Sequence, residues 1–231
     1  MSLLDKYHPL TFEDYIFPDD FSEKQTRRWI DTKSSQPLLL YGCYGTGKSS
    51  LAHILTQNIY GKAPAADVQV ITSTGQKDVA EFFRKLENFC YNMPITNIPK
   101  RFVIIDEVDL LCKDKQKGLK SRLTGLSKGC HFIFTTNEMD HVDGGIKSRA
   151  LCIAVGHANP ERWLHRMKHI LTQENAPIPA DDLLLDLASL ARGDCRNIIK
   201  NLERYIAEAP STKPPAPPTK PKFKVHSTTQ V

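Results

Sequence analysis

Through the first two thirds of the chain, short apolar runs alternate with stretches in which apolar residues recur at helical spacing. Pro37-Leu38-Leu39-Leu40-Tyr41 is an apolar run that stops at a glycine, and Leu51, Ile54, Leu55 and Ile59 then mark a helix from Ser49 to Tyr60. The pattern repeats with a strand at Val68 to Thr72, a helix from about Gln76 to Cys90 and a strand at Phe102 to Asp106. A helix from about Lys113 to Leu126, a strand at His131 to Thr136 and a short strand near Leu151 to Val155 complete the alternation. Five apolar strands separated by helices predict an α/β fold, a parallel sheet covered on both faces.

From Asn159 onward the strands stop. Trp163, Leu164, Met167, Ile170 and Leu171, then Leu183 to Leu190, then Ile198, Ile199, Leu202 and Ile206 predict three short amphipathic helices, a small lid after the sheet. Six prolines between Pro210 and Pro221 leave almost nothing apolar to bury, which predicts a disordered tail. The expected division is therefore an α/β domain at 1–157, a helical lid at 158–209 and a Pro/Lys-rich tail at 210–231.

Composition narrows the class. With 231 residues, 40% hydrophobic and 25% charged, the chain reads as globular, with no apolar run of membrane-spanning length and no signal-peptide order at its start, so a cytoplasmic location and no membrane partner are expected. The formal net charge of +5 suggests nucleic acid until it is located: Lys213, Lys220, Lys222 and Lys224 in the tail carry four of those charges. The six cysteines form no C-x-x-C pair and read as reduced thiols. Cys43 stands apart because oxidation there would obstruct the glycine-rich turn around it. His165 and His169 have the i, i+4 spacing of metal ligands but no third ligand, and read as surface histidines.

That turn carries the first chemistry. Gly42-Cys43-Tyr44-Gly45-Thr46-Gly47-Lys48-Ser49 fits G-x-x-x-x-G-K-[ST] and lies between an apolar strand and a helix, where backbone N–H groups and the helix N-terminus face phosphate oxygens. Lys48 is placed to reach the terminal phosphates and Ser49 to ligate Mg²⁺, so ATP and Mg²⁺ are the expected cofactors. Gly42, Gly45, Thr46 and Gly47 of the loop, with Leu51 in the following helix, are the expected nucleotide contacts. Phe102 to Asp106 delivers two carboxylates to the same sheet edge, Asp106 for the metal and Glu107 for the water that attacks the γ-phosphate. A further apolar strand delivers Asn137, suited to bonding that water or the γ-phosphate.

Taken in order, these segments resemble the AAA+ ATPases, most closely the clamp-loader branch of replication factor C small subunits. The resemblance is carried by Lys6-Tyr7-His8-Pro9 with Thr11-Phe12-Glu13-Asp14, by Gly45 to Ser49, by Asp106-Glu107-Val108-Asp109, by Asn137, by Ser148-Arg149 and by Gly193-Asp194-Cys195-Arg196. It implies that Tyr7, His8 and Pro9 border the adenine, that Asn137 and Arg196 sense the nucleotide, and that Arg149 is an arginine finger inserted into a neighbour's site. The active unit implied is a homo- or hetero-oligomer with ATP sites shared between subunits. The chain differs from that branch in having Cys43-Tyr44 for two prolines and His8 for arginine. It also runs into its tail where that branch continues into a collar domain, so the resemblance concerns the ATPase module.

Lys113, Lys117 and Lys120 fall at i, i+4 and i+7 on one helix face, with Lys115 and Arg122 close by, a candidate contact with DNA phosphates lacking sequence specificity. An oligomeric ATPase acting on DNA in replication, recombination or transposition is the first expectation, with a clamp, helicase or transposase as partner. A protein-remodelling ATPase and an ATP-dependent scaffold with little turnover are the alternatives.

Overall fold

The computed structural model describes residues 2–61, 65–72 and 78–208; the expected tail and the expected helix start at Gln76 lie outside them. In chain order, α1 (Leu3–Lys6) and α2 (Asp20–Asp31) precede β1 (Leu38–Tyr41), α3 (Lys48–Asn58), β2 (Val68–Thr72) and α4 (Val79–Tyr91). Next come β3 (Arg101–Asp106), α5 (Lys113–Leu126), β4 (Cys130–Thr136), α6 (Gly144–Lys147) and β5 (Leu151–Ala154). The chain then becomes wholly helical with α7 (Pro160–Gln173), α8 (Asp181–Leu190) and α9 (Cys195–Glu208).

The five strands form one sheet in the order β2-β3-β4-β1-β5, every pairing parallel. Parallel pairing needs a crossover between strands, and the crossovers cover both faces. Alternate residues divide between two cores. Leu39, Val103, Ile105, Phe132 and Phe134 face α4 and α5, meeting Phe82, Leu86, Leu119 and Leu123. Leu38, Leu40, Phe102, Ile104 and Ile133 face α2 and α3, meeting Trp29, Leu51 and Leu55. The continuous apolar runs that marked the strands are the sequence trace of this two-sided burial.

α2 was not legible in the apolar pattern. Of its residues only Phe21, Trp29 and Ile30 are large and apolar, and Phe21 is exposed. The helix is held by its ends: Asp19 Oδ1 accepts the Ser22 N–H at 2.7 Å, and buried Trp29 donates Nε1–H to Gln36 O at 2.8 Å.

α7, α8 and α9 bury Trp163, Met167, Ile170, Leu184, Ile198 and Leu202 in a core of their own. The start of the chain joins that core: Leu3 is buried within it, and its N–H donates to Glu203 Oε1 at 3.3 Å. Sequence order alone groups α1 with the sheet, whereas its packing is against the C-terminal helices. Three ion pairs continue the link, Lys6 to Glu174 at 2.7 Å, Arg166 to Asp14 at 3.0 Å, and Arg162 to Asp20. No helix among the described residues is long and apolar enough to cross a membrane.

Candidate functional site

Because β4 lies between β3 and β1, three strand C-termini stand side by side, and the glycine-rich loop leaves from one of them. Gly47 occupies the N-cap of α3 at φ 84°, a left-handed conformation that side chains resist, and a Cβ there would lie 3.1 Å from the Tyr15 ring. Tyr15 O–H donates to Thr46 O at 2.9 Å, so the N-terminal segment braces the loop from one side. The C-terminal helices brace it from the other. Cys195 N–H donates to Gly45 O at 3.0 Å, and the Asp194 carboxylate sits where a Cβ on Gly45 would come within 2.3 Å of it.

Within the loop, Lys48 Nζ donates to Gly42 O at 2.9 Å and Cys43 O at 2.6 Å. Burial holds its pKa below the ordinary lysine value. Ser49 Oγ donates to Asp106 Oδ1 at 2.8 Å, joining loop to β3. Thr135 on β4 donates to that same Asp106 oxygen while its hydroxyl accepts the Glu107 N–H at 2.9 Å. Glu107 takes φ +54°, in the left-handed region that a non-glycine residue adopts at a cost. Its carboxylate accepts from Asn137 Nδ2 at 3.3 Å. Ser49, Asp106, Thr135, Glu107 and Asn137 thus form one hydrogen-bonded chain across three elements.

A cavity of about 360 Å³ opens beside this chain. Gly45, Gly47, Lys48, Ser49, Glu107 and Asn137 line one wall, and Arg196 reaches it from α9. Tyr7, His8 and Pro9 line another, with His8 Nε2 2.9 Å from Ser50 Oγ. Tyr7 O–H donates to Glu174 Oε1 at 2.5 Å, and burial, then that hydrogen bond, raises its pKa. Gly42 and Thr46 shape the loop without lining the cavity, and Leu51 is wholly buried in the core under the sheet.

Other expected residues lie elsewhere. Arg149 is exposed at the opposite edge of the sheet, donating to Gly145 O at 2.8 Å, beside a groove with Pro37, Lys100, Leu123 and Lys128. Lys113, Lys117 and Lys120 are all exposed on α5, Lys120 with its ammonium 3.8 Å from Asp143. Of the two residues grouped with them in sequence, Lys115 points into the fold and Arg122 stays at the surface. Lys115 is buried with its ammonium over Phe82, and Arg122 pairs with Glu87 at 2.8 Å over Phe83. Cys43 is exposed, while Cys195, at the cavity, has its pKa pushed up to about 12 by burial and then by Asp194, which keeps it an inert thiol. Thr135, Tyr15, Trp163 and Arg166 also belong to the site and carry no sequence motif; only their place at a strand end or on a helix face puts them there.

A family model described as "ATPase family associated with various cellular activities (AAA)" matches residues 38–154, just over half of the chain. The chain belongs to the AAA family. Its AAA core is similar to curated relatives named replication factor C small subunits. That of Pyrobaculum islandicum (small subunit 2) is 24% identical over 199 residues, covering 86% of this chain and 62% of the relative. That of Archaeoglobus fulgidus is 25% identical over 204 residues, covering 88% and 63%. The AAA chain therefore spans about six-tenths of the length of these relatives. Among solved structures, the Thermotoga maritima RuvB Holliday junction branch migration motor superposes with a TM-score of 0.67 at 16% identity, covering 86% of this chain and 64% of that one. That likeness establishes the AAA+ fold, a five-stranded parallel sheet with flanking helices.

Proposed function

We propose that this chain is the ATP-hydrolysing module of a clamp-loader-like assembly of the replication factor C small-subunit kind. The observation that carries the reading is the hydrogen-bonded chain from Ser49 through Asp106, Thr135 and Glu107 to Asn137 beside the phosphate loop. It gathers a hydroxyl, two carboxylates and an amide at one sheet edge, which supports a set of metal ligands, general base and orienting group of the kind that phosphoryl transfer to water requires.

Ser49 and Asp106 offer two hard oxygen donors within 2.8 Å of each other. A hydroxyl and a carboxylate so placed suit Mg²⁺, which is held by one or two protein oxygens plus phosphates and water. Bound there, the ion would neutralise charge on the β- and γ-phosphates. Lys48 exchanges its loop carbonyls for phosphate oxygens. Glu107 takes the proton of the water that attacks the γ-phosphorus, as the bond to the ADP oxygen breaks, and Asn137 keeps the Glu107 carboxylate aimed. Arg196 reaches the same phosphate from α9, with α7 to α9 acting as a lid. Arg149, outside its own cavity, completes a neighbour's site, so the working unit is an oligomer.

Replication comes first among the DNA processes because the relatives named above are replication factor C subunits, and a sliding clamp is the partner that fits that reading. The exposed Lys113 and Lys117 supply phosphate contacts without base reading.

The test is ATP turnover with and without primed double-stranded DNA at low salt. The intact chain is expected to turn over faster with DNA. Glu107→Gln is expected to lose about 10²- to 10⁴-fold in turnover while binding ATP as before. Unaltered hydrolysis in that variant would remove Glu107 from its role, and indifference to every DNA structure would remove DNA.

A further inference from the structure

Three buried side-chain polar atoms have no hydrogen-bond partner among the described residues: Gln69 Oε1, Asp109 Oδ1 and Trp163 Nε1. Of these residues only Trp163 also lines the nucleotide cavity. An indole N–H is a donor and nothing else, and a buried donor without an acceptor is costly enough that proteins rarely keep one. The chain's other tryptophan follows that rule, Trp29 giving its N–H to Gln36 O.

The surroundings say what could supply the missing acceptor. Trp163 stands on α7 and lines the cavity together with Tyr7, Pro9, Ile16 and Ile199. One turn further along α7, Arg166 lines the same cavity and donates to Tyr7 O and to Asp14 Oδ1, fixing the N-terminal segment against the helix. These neighbours are apolar or aromatic and Trp163 Nε1–H is left without an acceptor, which matches a heteroaromatic ring carrying acceptor nitrogens in its plane.

We propose that Trp163 reads the base of the nucleotide, its Nε1–H donating to a ring nitrogen of adenine. The inference rests on the nucleotide reading of this cavity and adds a specificity-determining residue to it. A donor paired only when the right base is bound discriminates by leaving itself unpaired with the wrong one.

The experiment is a binding cycle with the full chain and Mg²⁺, using ATP, its 1-, 3- and 7-deaza analogues, which each replace one ring nitrogen by C–H, and inorganic tripolyphosphate. One analogue is expected to bind the unaltered chain about tenfold more weakly than ATP, equivalent to roughly 1.4 kcal/mol. Trp163→Phe keeps an aromatic ring and removes the donor. It is expected to weaken ATP by the same factor, to lose nothing further with that analogue and to leave tripolyphosphate binding unchanged. The proposal is overturned if all three analogues bind the unaltered chain as ATP does, a result that needs no variant to fold. It is equally overturned if the weakened analogue is weakened by the same factor in Trp163→Phe. Failure of the nucleotide reading looks different: ATP would not bind the unaltered chain, or Lys48→Ala would bind ATP and tripolyphosphate undiminished.

Discussion

At the scale of single residues, His131 shows how burial fixes a protonation state. Its ring stacks on Phe102, with centroids 5.3 Å apart, and its nitrogens lie 2.7 Å from Tyr60 Oη and 2.9 Å from Ser34 O. Burial pushes its pKa down to about 4, although the Ser34 carbonyl favours the charged form. The folded chain therefore holds His131 neutral at pH values where the unfolded chain protonates it. Stability from this residue is complete above about pH 6.5 and is lost as pH falls toward 4. Urea denaturation should show a loss of about 2 kcal/mol between pH 7 and pH 5 that is missing in His131→Phe, even though that variant is less stable at pH 7. Equal pH dependence in both proteins would contradict the assignment.

Elements are joined by a second buried polar group. Asp67, directly before β2, is fully buried and accepts from Ile95 N, Thr96 N and Thr96 Oγ1 at 2.9, 3.0 and 2.6 Å, and from Arg101 Nε on β3 at 3.0 Å. Desolvation pushes its pKa up, but the Thr96, Ile95 and Arg101 bonds outweigh it and the carboxyl stays acidic. One carboxylate thus fastens the segment after α4 to the edge of the sheet. Arg101→Met leaves that charge buried and less well paired, and is expected to cost about 3–5 kcal/mol in chemical denaturation. Adding Asp67→Asn should recover part of the loss, and a fully additive double variant would show that the two groups do not act together. No apolar pattern reports such a fastening, since Asp67 and Arg101 are 34 positions apart in sequence and only the sheet brings them together.

That contrast explains what the sequence made legible. Strands such as Phe102 to Asp106 were readable because burial on both faces forces consecutive apolar residues, and the loop at Gly42 to Ser49 because its geometry restricts residue choice at fixed spacing. α2 was invisible because end caps and one tryptophan hold it, and Thr135, Tyr15 and Trp163 because threonine, tyrosine and tryptophan occur everywhere and only tertiary placement brings them to the cavity. Basic spacing on α5 misled in part: Lys115 lies among the candidate phosphate contacts along the sequence but turns toward Phe82.

For the whole molecule, the position of Arg149 is the informative one. It stands at the sheet edge opposite its own cavity, so no single copy brings Arg149 and the phosphate loop together. Turnover should rise more steeply than linearly with protein concentration. Arg149→Ala and Lys48→Ala should each be nearly inactive, yet a mixture should recover turnover, because intact Lys48 sites would meet intact Arg149 side chains across the contact. A mixture no more active than its parts would overturn the shared site.

Cys195 N–H on Gly45 O and the Asp194 carboxylate against the same glycine make the phosphate loop and the last helix a single contact. The two ends of that contact obey reciprocity. Whatever factor nucleotide occupancy contributes to the docking of a partner on α7 to α9, that partner returns to nucleotide affinity in full. A binder selected only for gripping the C-terminal helices would therefore act, without touching the cavity, as an affinity regulator of it, and its sign could be read from nucleotide dissociation alone.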